Sequence, residues 1–162
     1  MSVKEKVSAA QRSKNLQEVP YNQIGDIDVI RACGMVGVEM PLGLSLWRLK
    51  YSDAENEFVN VFNGLLTMVL SRYHNCNGYQ VTQTVIKHWL DNVCKACSGR
   101  GKEVVPGTPM LSDRDCEVCH GQGRIAMHNP DDASRWLLAE IQRMEQDVSS
   151  AIAAKLNSRS PL

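Results

Sequence analysis

Cys94-Lys95-Ala96-Cys97-Ser98-Gly99-Arg100-Gly101 and Cys116-Glu117-Val118-Cys119-His120-Gly121-Gln122-Gly123 are one pattern written twice, CxxCxGxG. A CxxC turn sets two thiolates on one side of a tight bend. Two such bends facing each other supply four sulfurs at about 2.3 Å from a tetrahedral zinc ion. The glycines permit positive φ and let backbone N–H groups approach the thiolates, offsetting part of their charge. The spacing predicts one zinc ion held by Cys94, Cys97, Cys116 and Cys119. Four thiolates leave no position for water, so the site is expected to be structural and not catalytic. The competing reading is a set of reduced or redox-active thiols. His120 and His128 are rival ligands by position, but with four cysteines present they read as solvent-facing. Cys33 and Cys76 have no partner at metal spacing and read as small buried residues.

Outward from this module, residues 94–124, the pattern is helical. On the N-terminal side, residues 3–16 read as a charged helix. Residues 26–33 read as a short one stopped by Gly34. Residues 35–51 are ambiguous, because Pro41 suits a helix start while Leu42, Leu44 and Leu46 alternate like a strand. Ser52 with Glu55 has the form of a capping box, and Ala54, Phe58, Phe62, Leu65, Leu66, Val69 and Tyr73 then keep helical spacing. Asn75, Asn77 and Gly78 make a turn, and Val81, Val85, Trp89 and Val93 mark a helix over 80–93. Pro106-Gly107-Thr108-Pro109 makes the middle of the module a loop. Beyond the module, Asn129-Pro130-Asp131 offers a helix start. Leu137, Ile141, Met144, Val148 and Ala151 form a heptad-like seam expected to pack on the earlier helices. Asp26 with Asp28, and Asp131 with Asp132, read as helix-start charges. The expected fold is mainly α: a helical region over 1–93, an inserted CxxC…CxxC zinc-finger module over 94–124, and a C-terminal helix over 125–162 that packs on the helical region.

Composition bounds the function. The chain has 162 residues, 43% of them hydrophobic and 22% charged, enough for a core that needs no disulfides. Its apolar runs are too short to cross a bilayer, and the polar sequence after Lys4, Glu5 and Lys6 does not resemble a signal peptide. The expectation is a cytoplasmic protein with no membrane partner, in a reducing compartment where paired CxxC means metal. Lys plus Arg and Asp plus Glu both number 18, so any nucleic-acid contact must come from a local patch. No Gly-rich phosphate loop, Ser-His-Asp order or paired-acid motif stands out, and the expected function is not enzymatic.

With these residues in view, the sequence resembles the late-gene antitermination protein Q of lambdoid bacteriophages, of the phage 21 type. The doubled CxxCxGxG module and Asp28-Val29-Ile30-Arg31-Ala32-Cys33-Gly34-Met35 carry the resemblance, which covers roughly residues 26–124. It implies a transcription antitermination factor that binds double-stranded DNA beside a late promoter. It implies loading onto paused host RNA polymerase through the β-subunit flap and sigma region 4. It further implies action near nascent RNA at the exit channel, so that terminators are ignored in the bacterial host cell. The same CxxCxGxG pair occurs in the DnaJ chaperone zinc module. Here there are two repeats and not four, and no His-Pro-Asp motif. A DnaJ-like chaperone or co-chaperone is therefore the alternative, and a redox or metal-dependent enzyme a third.

A DNA reader needs cations for phosphates and amide or guanidinium groups for base edges. Gln80, Gln83, Thr84, Lys87 and His88 lie opposite the apolar face of their helix, which follows a helix and a tight turn. An ordinary polar helix face is the competing reading. Arg100, Lys102 and Arg124 flank the metal turns and are candidates for phosphate, although Asp113, Asp115 and Glu117 argue against a uniformly basic finger. Trp47, Arg48 and Lys50 form a third candidate, for nucleic acid or protein.

Overall fold

Met40 and Pro41 settle the segment that the sequence leaves ambiguous. A residue before proline is driven out of the helical region, and Met40 sits at φ −135°, ψ 63°. It ends one helix, its N–H donating to Val36 O at 2.7 Å. Pro41, whose missing N–H costs nothing in a first turn, opens the next. In the computed structural model, which describes residues 3–13, 24–52, 54–105, 107–108 and 110–158, these are α2 (Asp26–Glu39) and α3 (Pro41–Tyr51). Gly34 therefore does not stop α2, and Leu42, Leu44 and Leu46 are helical. Burial decides both outcomes: Val29, Ala32, Cys33 and Val36 on α2 and Leu44, Leu46 and Trp47 on α3 are packed inside.

α1 (Val3–Arg12) precedes them, and residues 14–16 of the expected first helix lie outside the described residues. Ser52 does not cap the next helix. It ends α3, its N–H on Arg48 O, and Glu55–Glu57 form a single 3-10 turn. Glu57 reaches back to α3, accepting from Ser45 Oγ at 2.9 Å and Arg48 at 3.4 Å, and this contact shapes the link. α4 (Phe58–Arg72) then buries Val61, Leu65 and Val69, while Phe58 stays exposed. Asn77 caps α5 (Gly78–Leu90), accepting from the Gln80 N–H at 3.1 Å. Asp131 caps α6 (Asp132–Asn157), accepting from the Ser134 N–H at 2.7 Å. Asp26 and Asp28 sit in the first turn of α2 as helix-start charges, Asp28 accepting from the Gly25 N–H.

Among the described residues the fold is six α-helices and one β-hairpin, β1 (Lys102–Val104) with β2 (Leu111–Asp115), antiparallel within the module. The hairpin is not apparent from the sequence. Of the loop between its strands, residues 106 and 109 lie outside the described residues. No helix among the described residues is long and apolar enough to cross a membrane.

α6 is the shared spine. Its C-terminal half, through Val148, Ile152 and Leu156, closes a core with α1, α2 and the Leu44 and Trp47 side of α3. Its N-terminal half, through Ala133, Leu137 and Ile141, closes a second core with Leu46, α4 and α5. The heptad-like seam thus packs within the chain, as expected.

Glu145 stands where the two cores meet. Its carboxylate accepts from Lys4 Nζ and Tyr51 OH, and from Trp89 Nε1 at 3.3 Å, with Lys50 Nζ at 3.9 Å. Trp47 Nε1 donates to its backbone oxygen at 3.1 Å. Lys50 also lies 4.5 Å from the centre of the Trp89 ring. One carboxylate thereby ties α1, α3 and α5 to α6. Burial opposes its ionisation, but the hydrogen bonds from Lys4 and Tyr51 and the nearby cations outweigh it and hold it below the ordinary glutamate value. A carboxylate depressed in the fold contributes stability above its unfolded pKa and loses it as pH falls through the folded one. The Glu145→Ala protein is expected to be about 3 kcal/mol less stable at neutral pH, because Lys50 and Trp89 lose a buried partner. In denaturant titrations the wild type should lose stability below about pH 4.5 more steeply than Glu145→Gln.

Candidate metal centre

Among the described residues of the module, the buried positions are the four cysteines with Gly101 and Gly123. A segment of this size without an apolar core needs another staple. The four sulfurs supply the place for one. Cys94 Sγ lies 3.9 Å from Cys116 Sγ, Cys97 Sγ lies 3.7 Å from Cys119 Sγ, and all four are within 4.8 Å of one another. A tetrahedron with metal–sulfur bonds of about 2.3 Å has edges of about 3.8 Å, so the donor set fits one four-coordinate ion. These four cysteines could hold a metal ion. His120 and His128 lie outside the cluster, both exposed, His128 at the foot of the module.

The two halves are related by a local pseudo-twofold. The Cys94 N–H donates to Gly123 O at 2.9 Å, and the Cys116 N–H donates to Gly101 O at 2.8 Å. The Gly101 N–H points at Cys97 Sγ (3.3 Å) and the Gly123 N–H at Cys119 Sγ (3.2 Å), the approach expected from the sequence. A side chain on Gly101 would place its Cβ 2.3 Å from Gly121 O, and one on Gly123 would sit 2.3 Å from Gly99 O. Both glycines have φ of 70° or more. Glycine is therefore required twice over, by conformation and by the crossing of the two turns.

Cys97 and Cys119 are shifted in opposite directions. Burial resists ionisation of Cys97, but the Gly101 N–H and hydrogen bonds from the other thiols bring it down to about 7. Burial and the three neighbouring sulfurs push Cys119 up to about 11, against the Gly123 N–H. Outside the module, Cys33 is buried, which pushes its thiol up, and Cys76 is half-buried with Sγ 3.5 Å from Tyr73 O.

The module enters and leaves at one point. Val93 bridges Arg124, and the Ile125 N–H donates to Asn92 O at 2.8 Å, so the module is a closed insertion between α5 and α6. Beside that stem, Gln80, Gln83, Thr84 and Lys87 are all exposed on one face of α5. They form one wall of two adjoining depressions, of about 420 and 590 Å³, that share Thr84, Met127 and His128. The opposite wall is the 127–131 segment leading into α6, which the sequence does not mark as part of a groove. His88 and Asp91 line the same groove.

The other candidates are less free. Lys102 is held across the hairpin by Asp115 at 2.8 Å and donates to Asp113 O. Arg100 and Arg124 are exposed, and Arg124 lies close enough to Lys50 to disfavour its charge. The Trp47, Arg48 and Lys50 surface does not form. Trp47 is buried, Lys50 is enclosed with Glu145 and Trp89, and Arg48 pairs with Glu57. Aromatic and basic residues interleave there to build the polar joint inside the fold.

Cys97→Ser should unfold residues 94–124 and leave the helical body largely intact, because metal binding in such sites contributes roughly 10–16 kcal/mol to folding. Hydrogen exchange resolved by segment checks this. Gly101→Ala should destabilise the module by about 2 kcal/mol or more. Gly107→Ala, with positive φ but open space around it, is the control that isolates the carbonyl clash.

No protein-family model matches the chain, and no curated protein matches it either, so the four-sulfur module and the α5 groove carry the functional reading.

Proposed function

We propose that the protein is a zinc-containing transcription antitermination factor of the lambdoid phage Q type. It binds promoter-proximal DNA, loads onto paused host RNA polymerase and suppresses pausing and termination, which activates late genes. In this reading Cys94, Cys97, Cys116 and Cys119 hold one zinc ion. The ion supplies no reaction. It gives the module a fixed shape, and the residues around it do the recognising.

The observation that carries the reading is the exposed face of α5 beside the stem of the module. Gln80, Gln83 and Thr84 offer the amide and hydroxyl groups that discriminate base edges, and Lys87 offers a phosphate contact. Arg100 and Arg124 add exposed cations on the module. The resemblance of the Asp28–Met35 stretch and the doubled CxxCxGxG pattern to the Q family supports the same reading. A chain with equal numbers of acidic and basic residues neutralises few phosphates, so its affinity for DNA alone is modest and falls with salt. A composite target answers this. When the polymerase holds the protein beside its DNA element, the second contact becomes intramolecular.

One observation favours the DnaJ-like alternative. The hairpin and second knuckle expose Val104, Val105, Met110, Leu111 and Val118, apolar surface of the kind a chaperone offers to unfolded peptide.

In transcription with purified host polymerase, on the cognate late promoter followed by a terminator, the protein should raise read-through without nucleotide hydrolysis of its own. Lys87→Ala should weaken all DNA about equally, and Gln83→Ala should relax sequence preference by about 1–3 kcal/mol at one base pair. Equal termination with and without protein, together with suppressed aggregation of unrelated unfolded proteins, would favour the chaperone.

A further inference from the structure

Gly34 is the one glycine within the helices of the described residues that no contact with another described residue explains. A Cβ on Gly37 would lie 2.8 Å from Leu44, and one on Gly43, Gly64 or Gly78 would lie 2.7 Å from Val148, Leu42 or Leu70. At those four positions a neighbouring side chain would have to shift to admit a Cβ. A Cβ on Gly34 meets nothing within 4 Å, and its backbone is not in the left-handed region. Glycine inside a helix carries an entropic cost that alanine does not. Here the cost is borne with no packing gain among the described residues.

The surroundings of Gly34 supply a reason outside it. One turn before it is Ile30 and one turn after it is Val38, 38% and 86% exposed, with Met35 beside them at 48%. Ile30, Gly34 and Val38 repeat every four residues and so form one ridge along α2, opposite the buried face of Val29, Ala32, Cys33 and Val36. A ridge of apolar side chains with a bare glycine at its centre is a surface on which a second helix approaches closely.

Charge selects the occupant. Arg31 and Glu39 lie on the same flank of this ridge, Arg31 exposed and Glu39 51% exposed with Lys155 at 2.9 Å. About Gly34, an antiparallel α2 of identical sequence sets Ile30 against Val38 of the second copy. It also sets each Arg31 beside Glu39 of the second copy on the same flank. A parallel pairing would put each Arg31 level with the other Arg31 and leave Glu39 without a counter-charge from the second copy. The pattern is self-complementary, as a twofold interface requires.

We propose that the exposed face of α2 is a self-association surface, on which α2 of a second copy packs antiparallel with the two Gly34 residues at the crossing. One helix pair buries well under the roughly 1,200 Å² of a standard interface, so the dimer is weak, with a dissociation constant in the micromolar range. This inference is independent of the DNA and polymerase reading, since neither component enters it.

Sedimentation of the full, metal-loaded chain from about 1 to about 500 µM tests it, because that range brackets a micromolar equilibrium. The wild type should pass from monomer to dimer. Gly34→Leu should weaken association at least tenfold while its thermal midpoint stays equal or rises, since a Cβ at this position meets no described residue within 4 Å. Arg31→Glu and Glu39→Arg should each weaken the dimer, most at low salt, and the double variant should restore it. A wild type that stays monomeric throughout overturns the proposal. So does an undiminished Gly34→Leu dimer, a lowered midpoint in that variant, or a double charge swap that fails to rescue.

Discussion

Four cysteine sulfurs held within 4.8 Å of one another are the constraint on which the module depends. Left as thiols they make a small, poorly filled core, and as thiolates they repel. A cation in their midst would turn both problems into a single stable centre, and among the module's described residues no apolar layer competes with it for that role. The two glycine N–H groups aimed at Cys97 and Cys119 have the polarity to serve a negatively charged sulfur. The backbone pairings from Cys94 to Gly123 and from Cys116 to Gly101 then lock the turns face to face. The hairpin of β1 and β2 is a consequence, since it joins two turns whose ends are already fixed.

The helical body is organised on a different principle. α6 closes two cores at once, and Glu145 lies at their junction with partners from three other helices. Fixing α5 against α6 in this way fixes the groove between α5 and the 127–131 segment, and the stem at Val93 and Arg124 leaves the module adjacent to it. A polar joint inside the body thus sets the geometry of the surface where the candidate functional residues lie.

The sequence is most informative where the chemistry is local. The CxxCxGxG repeat marks the four sulfurs and the approach of the glycine N–H groups, because spacing alone determines both. The α6 seam and the polar face of α5 are legible for the same reason: periodicity carries them. Three features are not. Gly34 and Gly37 do not break α2 because buried contacts on its other face outweigh their propensity. Ser52 does not cap α4 because the preceding link is tied to α3 through Glu57. Trp47 and Lys50 look like a recognition patch in one dimension. Their true partner, Glu145, is almost a hundred residues away, and a contact at that separation leaves no trace in local pattern.

Cobalt substitution probes the four-sulfur centre most directly. Protein refolded with one equivalent of cobalt(II) should show the intense visible bands of a tetrahedral ion bound by four thiolates. Zinc should then displace the cobalt, and none of the four module thiols should react until zinc is removed. Weak bands of an ion with oxygen or nitrogen ligands, or four freely reactive thiols in the presence of zinc, would contradict it.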